Sequence, residues 1–139
     1  MKTSNFPILL ATTPASAGNG SPFADTSTLI DLNYLLTHGR AGFCAFTVTG
    51  DSQDPRIPPG SLVVCDTVST PRDGDTVVVE HNQSIYVKIL ELKPLRLVSS
   101  NESYEPMSVG EHDSFCVLGV VIASINLHRR SARMLRMVG

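Results

Sequence analysis

The pattern of apolar and polar residues changes once along the chain, near residue 43. From Phe43 onward apolar side chains recur at every second position, and clusters of Gly, Pro, Asp and Asn separate the runs. A period of two is typical of half-buried β-strands. It predicts six strands, over residues 43–49, 61–66, 76–80, 84–92, 95–99 and 115–127. Because no helical crossover separates them, we expect a mainly β, antiparallel and partly closed fold.

The segment before residue 43 has a different pattern. Residues 1–27 are rich in Ser, Thr, Pro, Gly and Asn and show little periodicity, which predicts an extended arm. Leucines at helical spacing predict a short helix over residues 29–37. Thr28 and Asp31 resemble a capping box at its start, and Gly39 is a suitable carboxyl-terminal cap. A short helix therefore links the arm to the β-rich region.

Length and charge narrow the functional classes. The 139 residues, 42% apolar and 17% charged, suffice for one domain with a core. No apolar run approaches the ~20 residues of a membrane-spanning helix. The net charge of −2 gives no reason to expect DNA binding. Four arginines near the carboxyl end are interpreted as a solvated terminus. The predicted organisation is an arm with a helix (1–40), a β-rich domain (41–128) and a basic tail (129–139).

Cysteines and small residues bear on location and processing. Cys44, Cys65 and Cys116 lie in apolar runs without paired spacing, which predicts buried, reduced thiols in a cytoplasmic protein.

No metal-binding motif occurs, so we expect no metal and no cofactor. Ala15-Ser16-Ala17-Gly18 resembles a secretion-signal cleavage site, but the preceding apolar core, Ile8 to Ala11, is shorter than the roughly 7–15 residues of a signal. Export is therefore not expected, although small exposed residues suit a protease.

The first candidate for chemistry is Ser52, in Gly50-Asp51-Ser52-Gln53. A strongly β-forming run ends here in a turn, and a serine at such a junction has an exposed hydroxyl. Main-chain N–H groups beside it are suited to bind an oxyanion. Most serines in such positions only cap turns, so this feature alone does not decide between the two roles.

The second candidate is Lys88. Alternation within residues 84–92 places Tyr86, Lys88 and Leu90 on one face, so the lysine lies mid-strand between apolar neighbours. On its own, a lysine that protects a sheet edge from aggregation is the simpler interpretation. The functional interpretation is a lysine desolvated until it is neutral, which can then take the proton of a serine hydroxyl.

Together these two sites resemble the LexA/UmuD family of self-cleaving serine proteases. In that family a Gly-x-Ser motif carries the nucleophile and a lysine further along is the general base; Lys88 follows Ser52 by 36 positions, which fits the family spacing. The resemblance runs from about residue 41 to 127. Further matching segments are Gly60–Asp66, Gly74–Val78, Tyr86–Lys88, Asn101–Pro106 and Gly119–Val121.

The amino-terminal part resembles the UmuD type, because about 40 residues are too few for the helix-turn-helix domain of LexA-type repressors. The family register places the scissile bond at Ala17-Gly18. Two positions depart from the family pattern. Gln53 stands where the family usually has Met, which puts the cleavage activity in doubt, and Ser61 replaces a frequent Asp in a turn.

The resemblance implies an accessory protein of the SOS response. A RecA filament on single-stranded DNA would act as co-protease, and the shortened homodimer would join a Y-family polymerase subunit similar to UmuC. Ser52 would attack, Lys88 would act as base, and main-chain groups at Asp51 and Ser52 would form the oxyanion hole. Two other interpretations stay open: a dimeric polymerase-binding module with a vestigial dyad, and a signal-peptidase-like enzyme, which the lack of a membrane anchor disfavours.

Overall fold

The computed structural model describes residues 8–10 and 28–129. The chain divides between Ala41 and Gly42 into two compact units. Within the described ranges the elements are β1 (Ile8–Leu10), β2 (Thr28–Ile30), α1 (Leu32–Thr37), β3 (Phe43–Thr47), β4 (Leu62–Asp66), β5 (Thr76–His81), β6 (Ser84–Leu92), β7 (Leu95–Val98), β8 (Met107–Ser108) and β9 (Phe115–Ile125).

The second unit is built on a seven-stranded sheet with the order β3-β4-β9-β5-β6-β7-β8. All neighbouring strands are antiparallel, which confirms the predicted mainly β, antiparallel fold. β9 follows the other six strands in the chain but lies in the interior of the sheet, between β4 and β5. It therefore joins the β3–β4 pair to the β5–β8 group.

The six predicted strands are all present, and their ends agree with the prediction to within two residues. β8 was not predicted, because a strand of two residues is too short to show a period. The turn between β5 and β6 is tight. Asn82 and Gln83 both have positive φ, 50° and 71°, as a two-residue type I′ hairpin turn requires. This turn fixes the register that places Val77 opposite Lys88.

Side chains from both faces of β5 are buried. Val78 enters one apolar cluster together with Val63 and Cys65, whereas the neighbouring positions Val77 and Val79 enter a second. The second, named here the β5–β7 cluster, consists of Val77, Val79, Leu90 and Leu97. Burying one such side chain contributes about 1.5–3 kcal/mol. These clusters pack β5, β6 and β7 together, and β6 carries Lys88.

The first unit corrects the predicted helix boundaries. Residues 28–30 form β2, which pairs with β1, and the helix begins only at Leu32. Asp31 is the N-cap, because its carboxylate accepts hydrogen bonds from the N–H groups of Asn33 at 2.9 Å and Tyr34 at 3.3 Å. At the other end the C-cap is His38, in the left-handed region, one residue before the predicted Gly39.

The cysteines agree only partly with prediction. All three are free thiols, and Cys65 is buried as expected. Cys44 is half-buried, and Cys116 is exposed, so the prediction of burial was wrong for Cys116. The reason is its place on β9, where outward-facing positions alternate with inward-facing ones.

In the described part of the chain, no helix has the length and apolar character needed to cross a membrane.

Candidate active site

Lys88 is buried at the junction between β5, β6 and β7. Only 4% of its surface is exposed, and it lies on the same face of β6 as Leu90, within the β5–β7 cluster. Val77 of β5 lies directly opposite it. Since burial penalises the charged form, the pKa of the Lys88 ammonium is lowered from its usual range. A lysine that protects a sheet edge would face solvent, so burial argues against that interpretation.

Polar and aromatic groups surround the Lys88 ammonium. Nζ donates a hydrogen bond to Oγ of Ser99 at 2.7 Å. It also lies 5.8 Å from the ring centroid of Tyr86 and 5.3 Å from that of Tyr104. Within the described part of the chain no carboxylate forms an ion pair with it, which is consistent with desolvation as the cause of its lowered pKa.

Ser52 lies in the loop that leaves β3, and it is half-buried. Main-chain hydrogen bonds shape this loop: the N–H of Asp54 donates to the carbonyl of Asp51 at 3.0 Å, and that of Ile57 donates to the carbonyl of Gln53 at 2.7 Å. Ser52 lines a groove of about 290 Å³. The opposite wall is formed by β6, through residues 85–87.

A second loop, residues 99–104, forms hydrogen bonds with the Ser52 loop and is named here the bracing loop. The main-chain N–H of Asn101 donates to the carbonyl of Ser52 at 2.9 Å, and its side-chain amide donates to the carbonyl of Asp51 at 3.0 Å. The hydroxyl of Tyr104 donates to the carboxylate of Asp51, and this bond raises the pKa of Tyr104. The path of the backbone around Ser52 is therefore fixed from outside the loop.

Gln53, the departure from the family pattern, is buried next to Ser52 with 1% of its surface exposed. Its Oε1 accepts a hydrogen bond from the N–H of Ser100 at 3.4 Å, and its carbonyl accepts one from the Ser100 hydroxyl at 3.0 Å. Its Nε2 has no hydrogen-bond partner among the described residues. Gln53 thus ties the Ser52 loop to residue 100.

Ser52 and Lys88 both form hydrogen bonds with one short segment, residues 99–101. Lys88 bonds to Ser99, and Ser52 bonds to Asn101, two residues further on. Two residues of extended chain span at most about 7 Å. Among the described residues, however, no hydrogen bond joins Ser52 to Lys88. Asp51 lies beside Ser52, whereas the predicted cleavage site, Ala17 and Gly18, lies outside the described residues.

Sequence reasoning missed Ser99, and it gave no role to Asn101 or Tyr104. A signal for Ser99 was available once β6 and β7 were paired: Ile89 lies opposite Val98, so the same register continues to Lys88 opposite Ser99. Asn101 and Tyr104 belong to a segment that the family resemblance includes, but their contacts with Asp51 span about 50 residues and leave no periodic signal.

The described residues contain no group of three or more His, Cys, Asp or Glu side chains placed to hold a metal ion. A hydroxyl at a groove and a buried amine of lowered pKa are the two components of a serine–lysine dyad.

Comparison with known proteins gives a family match and a similar protein. The model of the peptidase S24-like family matches residues 9–122. The chain is also similar to protein SamA of Salmonella typhimurium (strain LT2), with 33% identity over 123 residues that cover 86% of each chain. The range matched by the family model includes Ser52, Lys88 and residues 99–104.

Proposed function

Since the chain belongs to the peptidase S24-like family and is UmuD-like within it, we propose that it cleaves its own amino-terminal arm at Ala17-Gly18 through a Ser52–Lys88 dyad. The observation that carries the proposal concerns Lys88. Its amine is buried, and desolvation lowers its pKa. It also bonds to Ser99, in the same short segment whose Asn101 bonds to Ser52. A lowered pKa increases the share of the amine that is neutral, and so able to act as a base, at any given pH.

The proposed chemistry needs no other titrating group. Neutral Lys88 takes the proton from the Ser52 hydroxyl while Oγ forms a bond to the carbonyl carbon of Ala17. The resulting ammonium returns that proton to the departing amine of Gly18 as the carbon–nitrogen bond breaks. Lys88 then accepts a proton from water, which attacks the ester and releases Ser52. Each proton that the lysine takes is given back, so the dyad is regenerated.

Main-chain groups of the Ser52 loop are suited to stabilise the oxyanion. Within the described part of the chain, the N–H groups of Asp51 and Ser52 donate no hydrogen bond to protein. The bracing loop contacts the carbonyls of the same two residues, and this leaves their N–H groups available. Donors held in place before the reaction need no reorganisation when negative charge develops on the carbonyl oxygen.

The wall of the groove supports binding of an extended chain. β7 pairs with β6 only from Ile89 onward, so the edge of residues 84–87 that faces away from β5 carries no strand partner within the described residues. A peptide can add there as a strand and use main-chain hydrogen bonds for affinity. Ile85, with 56% of its surface exposed at this groove, offers an apolar contact for a small substrate residue.

We further propose the biological role that the family resemblance implies. The chain is a homodimer that serves the SOS response, a RecA filament on single-stranded DNA stimulates its cleavage, and the shortened form joins a Y-family polymerase subunit similar to UmuC in error-prone synthesis. Because the arm is the substrate, cleavage depends on its effective concentration at the site and not on affinity for other proteins. We place the protein in the cytoplasm.

One observation favours a second candidate function. Lys88 bonds to Ser99, and among the described residues it makes no hydrogen bond to Ser52. A polymerase-binding dimer with a vestigial dyad would have the same contacts. The two candidates differ in one property, because only the first predicts that the purified protein shortens itself.

The test is self-cleavage of the purified full chain across pH 7 to pH 10.5, with and without a RecA filament on single-stranded DNA. The cut fraction of wild type should rise with pH and then level off. Ser52→Ala and Lys88→Arg should stay uncut, because a guanidinium does not lose its proton in proteins. Lys93→Arg, at an exposed lysine just after β6, is the matched control and should cut like wild type. Wild-type rates in Lys88→Arg, or no cutting by wild type under any condition, would refute the proposal.

A further inference from the structure

We propose that Ser99 is a positioning residue for the proposed base, holding the Lys88 amine so that its lone pair is directed at the Ser52 hydroxyl. This inference rests on the proposed self-cleavage. It concerns a residue outside the dyad, at the end of β7, for which neither the serine nor the lysine motif gives a role.

The geometry comes from the β6–β7 register. Ile89 pairs with Val98, so Lys88 and Ser99 are the next opposed positions, just past the last pair of the ladder. There Nζ of Lys88 donates to Oγ of Ser99 at 2.7 Å, and 4% and 8% of the two residues' surfaces are exposed. A contact of this length between two buried groups, one on β6 and one directly after β7, fixes the end of a side chain that otherwise has four rotatable bonds.

The other groups that face Nζ cannot do this. Tyr86 and Tyr104 present their rings, with centroids at 5.8 and 5.3 Å, and a ring face attracts a cation without fixing its rotation. The Asp51 carboxylate accepts the Tyr104 hydroxyl. In the described part of the chain, Ser99 Oγ is therefore the hydrogen-bond acceptor of Lys88.

This acceptor matters in both charge states of the lysine. A neutral amine has two N–H bonds and one lone pair, so donating one N–H to Ser99 restricts the directions in which the lone pair can point. In the ammonium form the same oxygen stabilises the charge. Removing the hydroxyl should therefore have two effects: a less ordered base, and a base that loses its proton at lower pH.

The first experiment is the pH profile of self-cleavage in Ser99→Ala, Ser99→Thr and Ser61→Ala. In Ser99→Ala the plateau rate should fall roughly tenfold and the midpoint should move about one pH unit lower, the size expected for losing one hydrogen bond to a charged group. Ser99→Thr keeps the hydroxyl, so the midpoint of its pH profile should equal that of wild type. Ser61 is the matched control, because its buried hydroxyl has no partner among the described residues. Ser61→Ala should leave the profile unchanged.

The second experiment needs no cleavage. The chain has three lysines, Lys2, Lys88 and Lys93, so a lysine side-chain NMR titration resolves each of them, and Lys88→Arg assigns the Lys88 signal. The titration is done with Ser52→Ala as the background. Adding Ser99→Ala should lower the Lys88 midpoint and leave Lys93 unchanged. If Ser99→Ala does not fold, Ser99→Cys, with similar volume and a weak acceptor, carries the same comparison.

The outcomes separate the two proposals. A wild type that never cuts refutes self-cleavage, while the NMR titration still decides whether Ser99 holds Lys88. If Ser99→Ala lowers stability but leaves the Lys88 midpoint unchanged in both experiments, Ser99 is merely structural and the inference is wrong.

Discussion

The side-chain amide of Asn101 donates to the main-chain carbonyl of Asp51 at 3.0 Å, across 50 positions of the sequence. The main-chain N–H of Asn101 reaches the next carbonyl, that of Ser52, at 2.9 Å. Both acceptors are backbone atoms, so these bonds fix the path of the loop whatever side chains it carries. Because Ser99, two residues earlier, bonds Lys88, a single segment positions both members of the proposed dyad.

Asn101→Ala should weaken this arrangement. It removes the donor to Asp51 and also the acceptor of the Ser103 N–H, at 3.0 Å. We expect the free energy of unfolding to fall by about 1–2 kcal/mol, measured by urea denaturation, and self-cleavage to slow. Glu102→Ala, at the exposed neighbour, is the control and should change neither quantity. Unchanged cleavage in a destabilised Asn101→Ala would mean that the loop path does not limit the reaction.

Lys88→Met should increase stability at neutral pH by roughly 1 kcal/mol, because it replaces a desolvated charge with an apolar side chain beside the β5–β7 cluster. Burial lowers the pKa of Lys88 in the folded state. Between that lowered pKa and the ordinary value of ~10.4, the unfolded chain binds more protons, so wild type gains stability as pH rises through this window.

The difference in the free energy of unfolding between Lys88→Met and wild type should therefore shrink from pH 7 to pH 10. Denaturant unfolding at three pH values in this interval measures it, and Lys93→Met serves as an exposed control. A difference that widens with pH would show that the sign of the Lys88 shift is wrong.

Gly119→Ala should destabilise the sheet. A Cβ at Gly119 would lie 2.9 Å from Cβ of Cys65 and 3.3 Å from the carbonyl oxygen of Asp66, both on the neighbouring β4. Overpacking of this kind costs about 1–3 kcal/mol, which thermal unfolding should detect as a lower Tm. At Gly110 the nearest atom would be 3.5 Å away, so Gly110→Ala is the matched control. Equal Tm values for the two variants would contradict the prediction.

The shortened product of self-cleavage should begin at Gly18. A glycine after the scissile bond lets the backbone approach the nucleophile without a side chain, so Gly18→Glu should block the cut. Mass spectrometry of the wild-type product identifies the bond directly. A product that begins at another residue would show that the register taken from the family is shifted.

The sequence predicted local features well and distant contacts poorly. Alternation was enough to locate β6 and to place Lys88 on the same face as Leu90, because a period of two is a property of neighbouring residues. The start of α1 was predicted too early, since pairing of β2 with β1 takes residues 28–30 and leaves Asp31 as the cap. The contact between Lys88 and Ser99 requires the β6–β7 register, and that of Asn101 with Ser52 requires the folded chain.

The position of β9 has a consequence for synthesis on the ribosome. Translation delivers β9 after the six other strands of the sheet, yet the sheet order places it between β4 and β5. The β3–β4 pair and the β5–β8 group can each form early from nearby residues, but they join into one sheet only when β9 inserts, and such distant pairings form slowly. Ser52 follows β3 and Lys88 lies on β6, so the two halves of the site belong to different groups until that step. The proposed dyad can therefore be complete only after the last strand of the sheet has been translated.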